Sequence, residues 1–84
     1  MYPWPLGVDE TLLDESLKIA MYYLAMTGQA EPYADVQRRV AVTIVEAWRQ
    51  GAEHPIRLAN YGIGAIEHKE ERDRAKIIEI KTRS

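Results

Sequence analysis

The sequence predicts an all-α fold: a small three-helix bundle running up, down and up, with an N-terminal arm and a charged C-terminal helical extension or tail. Three observations predict it. Two breaks of one form, Gly28-Gln29-Ala30-Glu31-Pro32 and Gly51-Ala52-Glu53-His54-Pro55, divide the body. The segments between them carry apolar residues at helical spacing. The connections are short, which favours antiparallel neighbours.

The 84 residues make a single domain. Residues 1–8 form the arm, 9–66 the three-helix core and 67–84 the charged extension. A core of this size yields only a few kcal/mol of net stability, and such chains gain support from disulfides, metal or oligomerisation. The chain has no cysteine, which excludes disulfides and thiolate metal sites. Oligomerisation is the support that remains.

The first helix is expected from Glu10 to Thr27 with Asp9 as N-cap. Val8 and Leu13 have the spacing of a hydrophobic staple. Glu10, Asp14 and Glu15 suit the positive end of the helix dipole. Two apolar stripes run along this helix. Leu13, Leu17, Ala20 and Leu24 are spaced 4, 3, 4, and so are Leu12, Ser16, Ile19 and Tyr23, with Met26 three residues on. One stripe closes an intramolecular core, and the other needs a second neighbour.

The second helix is expected from Pro32 to Gln50. Its apolar positions, Tyr33 through Trp48, cover about 180° at 100° per residue, more than an edge helix needs. Helix 2 is therefore expected to be central, with part of its wide face available to a partner. The third helix starts at Pro55, with Ile56, Ala59, Ile63 and Ile66 as its core stripe. Gly62 and Gly64 are poor helix formers. Either Ala59, Gly62 and Ala65 form a small-residue surface for close packing, or the helix bends there. Tertiary contact commonly overrides propensity, which favours close packing. The last eighteen residues hold eleven charges, including the favourable pairs Glu70–Arg74 and Glu79–Arg83, then Ile77, Ile78 and Ile80. Tyr2, Trp4 and Leu6 of the arm are expected to pack along the bundle.

No motif specifies a chemistry. His68 and Glu71 have i, i+3 spacing, but further ligands are wanting, so no metal site is expected. Ser16 has no histidine near it in sequence, and the adjacent carboxylates Asp14/Glu15 and Glu70/Glu71 point apart on a helix, so no catalytic residue is assigned. Gly62-Ile63-Gly64 lacks the third glycine and the preceding strand of a dinucleotide loop, so no cofactor is expected. The arm begins without a basic region and an apolar run, unlike a signal peptide. The longest charge-free stretch, Ile19 to Ala30, is too short to cross a bilayer. Absent cysteines fit a reducing cytoplasm.

The function expected is a cytoplasmic protein–protein interaction module without catalytic activity, acting as a homodimer. Leu12, Ile19, Tyr23 and Met26 are the candidate interface. Within a monomer, helices 2 and 3 would instead have to cover both stripes. A larger protein docking on the arm or the tail is a further partner considered. The alternative function is a helix-turn-helix DNA-binding regulator, with Arg57, Asn60 and Tyr61 reading bases from helix 3 and Arg38, Arg39 and Arg49 touching phosphates. Against it, residues 1–66 hold five Lys/Arg and eight Asp/Glu, and phosphate contacts dominate such affinity.

Overall fold

A computed structural model describes residues 2–67 of the chain. The charged extension expected beyond, with His68, Glu71 and the isoleucines Ile77, Ile78 and Ile80, lies outside the described residues. Two complete helices are α1 (Glu10–Met26) and α2 (Tyr33–Arg49). A third, α3, is helical over residues 55–67. No strand occurs among the described residues.

Local chemistry sets each boundary. The Leu12 amide donates to the Asp9 carboxylate at 3.2 Å, so Asp9 caps α1. Val8 packs against the core in which Leu13 is fully buried. At the other end, Gly28 takes φ +74°. Its amide donates to the Ala25 carbonyl at 3.3 Å, and the Gln29 amide to Leu24 at 2.7 Å. This crossed pair of bonds is a Schellman motif. It recurs after α2, where Gly51 donates to Trp48 and Ala52 to Ala47, both at 3.0 Å. Pro32 caps α2 with extended backbone (ψ 129°) rather than entering its first turn, so the helix begins one residue later than expected. Pro55 is the first helical residue of α3, and the His54 carbonyl accepts from Leu58 at 2.9 Å.

Leu13, Ala20 and Leu24 are fully buried and Leu17 nearly so, which makes the first stripe of α1 its core face. On α2, Val36, Val40, Ala41, Ile44, Val45 and Ala47 are buried. Three neighbours cover them. One is α1. Another is α3, whose Gly62 lies against Val40 and Ile44. The last is the arm, where Trp4 shares a surface hollow with Ala41 and Val45. Helix 2 is thus central, and most of its wide face is covered within the chain, with Tyr33 at its start 49% exposed and Trp48 half-buried.

Helix α3 continues through Gly62 and Gly64 without a break. Its carboxyl-terminal part returns to the end of α1, where Glu67 meets Tyr23 and Gln29. This completes the up-down-up course. The core face of α3 differs from the expected stripe. Ile56 is 57% exposed, whereas Leu58 is fully buried. At 100° per residue, Leu58, Gly62, Ile66 and Ala59 fill an arc of about 100°. Ile56 falls beyond its edge.

The arm packs as expected at two of three positions. Tyr2 and Trp4 lie against the core, their ring centroids 4.8 Å apart. Leu6 is 98% exposed. The chain reverses at Leu6-Gly7 to reach the Asp9 cap, with Gly7 at φ +83°, and that turn carries Leu6 outward.

Candidate protein interface

The second stripe of α1 divides between interior and solvent. Ser16 is fully buried, and its hydroxyl donates to the Leu12 carbonyl at 2.8 Å. Leu12 is half-buried and rests against the core. Ile19 is 37% exposed, Tyr23 42% and Met26 70%. The division follows the helical wheel. Buried positions from Ser16 to Met21 span about 140° at 100° per residue, and the stripe lies along one margin of that arc. Ser16 falls inside the arc, while Met26 lies farthest from it.

Tyr22 joins the open part of this surface at 70% exposure. The stripe spacing passes over it. The charge-free run from Ile19 to Ala30 was the signal for it, since a helix apolar all round leaves something uncovered unless it is enclosed. The outward face of α1 therefore has two halves. Glu10, Thr11, Glu15 and Lys18 make the first half polar, and Ile19, Tyr22, Ala25 and Met26 make the second apolar. Lys18 is drawn toward Asp14 at 3.6 Å, a contact along the helix.

Polar contacts border this patch on the α3 side. The Glu67 carboxylate accepts from the Tyr23 hydroxyl at 3.5 Å and from the Gln29 side-chain amide at 3.4 Å. Gln29 also donates to the Thr27 hydroxyl at 2.8 Å, and that hydroxyl donates to the Tyr23 carbonyl at 3.0 Å. The Glu67 contact draws the Tyr23 hydroxyl toward α3, and the ring stays 42% exposed.

Arg57, Asn60 and Tyr61 are all exposed on α3. Arg57 and Tyr61 line one crevice of about 190 Å³ with the turn residues Gln50, Gly51 and Ala52. The other arginines of the nucleic-acid reading have different surroundings. Arg38 lies 3.6 Å from Asp35, and Arg49 borders the hollow between the arm and α2. That hollow, about 240 Å³, is lined by Tyr2 to Pro5 and by Ala41, Val42, Val45 and Glu46. The indole Nε1 of Trp4 is buried with no hydrogen-bond partner.

Among the described residues no group of three or more His, Asp or Glu side chains is arranged to hold a metal ion. No helix among them is long and apolar enough to cross a membrane. Comparison with protein-family models, with curated proteins and with solved structures finds no match.

Proposed function

We propose that this chain is a small protein–protein interaction module, without catalytic activity, that works as a homodimer. Ile19, Tyr23 and Met26 form the centre of its interface, together with Tyr22 and with Leu12 at the margin. One observation carries the reading: four large apolar side chains stand open on one half of α1 while the other half of its outward face is polar. An exposed apolar patch with a polar surround marks an interaction surface. The small size of the core, with no disulfide to reinforce it, supports association as the source of added stability. A cysteine-free sequence suits the cytoplasm, where we place the protein.

Size-exclusion chromatography with light scattering, over a dilution series, tests this. The expected mass is near twice 9.6 kDa at high concentration. Ile19→Glu should give a monomer whose helical circular dichroism is retained. A parent chain that stays at the monomer mass at every concentration removes the reading.

A further inference from the structure

We infer that two copies of the chain pair through the carboxyl-terminal halves of α1, antiparallel, about a two-fold axis between Tyr22 and Tyr23. This rests on the homodimer reading and adds its geometry. A two-fold interface must be self-complementary: where residue i meets j, residue j meets i. The four exposed apolar residues satisfy that condition in one antiparallel register. Ile19 faces Met26 of the second copy, a contact that occurs twice, and each tyrosine meets its own counterpart, Tyr22 on one flank of the stripe and Tyr23 on the other.

Charge selects this orientation over a parallel one. Glu10, Asp14 and Glu15 lie in the first half of α1, and no charge falls between Ile19 and Ala30. Parallel pairing would set the two acidic halves side by side, and like charges so placed repel. Antiparallel pairing about Tyr22 and Tyr23 carries them to opposite ends, outside the contact. It also brings Lys18 alongside the last turn of the opposite helix. That turn has no basic residue of its own and gains from a cation.

The area is of the right order. With exposures of 37% to 70%, the four side chains offer on the order of 400 Å² per copy, taking ~200 Å² for a large side chain. A specific interface needs about 500 Å² per partner. Ala25 and the aliphatic stem of Lys18, both on exposed positions beside the patch, supply the remainder. An interface this small gives a dimer that dissociates on dilution.

The absence of cysteine makes the test direct. Tyr22→Cys and Met26→Cys are made singly in the full chain, at positions 70% exposed where substitution leaves the core intact. Under mild oxidation, Tyr22→Cys should form a covalent dimer. Met26→Cys should not, because the two copies of residue 26 sit about 10 Å apart along the paired axes, beyond disulfide reach. Mixing Ile19→Cys with Met26→Cys should give the mixed disulfide. Equal cross-linking of Tyr22→Cys and Met26→Cys would mean a parallel pair, overturning the inference while the homodimer stands. A dimer by light scattering that none of these variants traps would place the interface elsewhere and also overturn it. A monomer at every concentration would overturn both, leaving residues 68–84 or a different protein as occupant of the patch.

Discussion

A β-carbon at Gly62 would lie 2.6 Å from Cγ1 of Val40. Val40 is fully buried and β-branched, with one strongly preferred rotamer in a helix. The methyl group has no room to yield. Gly62→Ala should therefore destabilise the fold by about 1–3 kcal/mol, although alanine is the better helix former. Urea denaturation measures this. Val40→Ala opens the missing space, so the double variant should lose less than the sum of the two single losses.

Gly28 presents the opposite case. Nothing lies within 4 Å of its missing β-carbon, and its constraint is φ +74°. Gly28→Ala should cost about 1 kcal/mol through backbone strain alone. Gly28→Asn should cost less, since asparagine tolerates the left-handed region. Equal melting temperatures for the parent and Gly28→Ala would contradict the Schellman assignment.

Ser16 is the one polar side chain among the fully buried positions described. Its hydroxyl donates to a carbonyl of its own helix, so deleting it strands no buried donor. Ser16→Ala should stay within about 0.5 kcal/mol of the parent, because such back-bonding contributes little to a helix. Leu24→Ala, on the core stripe of the same helix, should lose about 2–5 kcal/mol. Paired denaturation curves give the contrast.

Trp4 carries a buried Nε1 with no partner. Phenylalanine removes that donor and keeps much of the ring. Trp4→Phe should fall within about 1 kcal/mol of the parent, the smaller ring offset by relief of an unsatisfied group worth ~1–3 kcal/mol. Trp4→Ala should lose distinctly more in thermal denaturation followed by circular dichroism.

Much of the fold was legible because the signals were local. Asp9 bonds an amide three residues away, and Gly28 and Gly51 each end a helix within a few residues of themselves. The core stripe of α1 also reads correctly, since every member carries an apolar side chain at helical spacing. The phase of α3 does not. Close packing at Gly62 is legible from its small neighbours, but the sequence sets that surface apart from the apolar stripe, whereas the buried arc combines the two: Leu58, Gly62, Ile66 and Ala59. Spacing of apolar side chains alone sets Ile56 on the stripe, where the structure leaves it 57% exposed. Tyr22 was missed for a related reason. Spacing finds faces that repeat, whereas exposure of a residue on an apolar helix depends on which neighbours arrive. Leu6 depended on the direction of a turn, which an apolar tally does not encode.

Among the described residues no hydrogen bond joins Tyr2–Pro5 to a helix; the segment is seated by its rings, and its short internal bond runs from the Trp4 amide to the Tyr2 carbonyl at 2.9 Å. Such a segment can detach while all three helices remain intact, as a local opening below the global stability. The chain's other tryptophan, Trp48, is half-buried on α2. Indole emission therefore follows two separate events, and helical ellipticity only one. On heating, fluorescence should begin to change before ellipticity does, and the interval between the two curves measures how firmly the first few residues are latched.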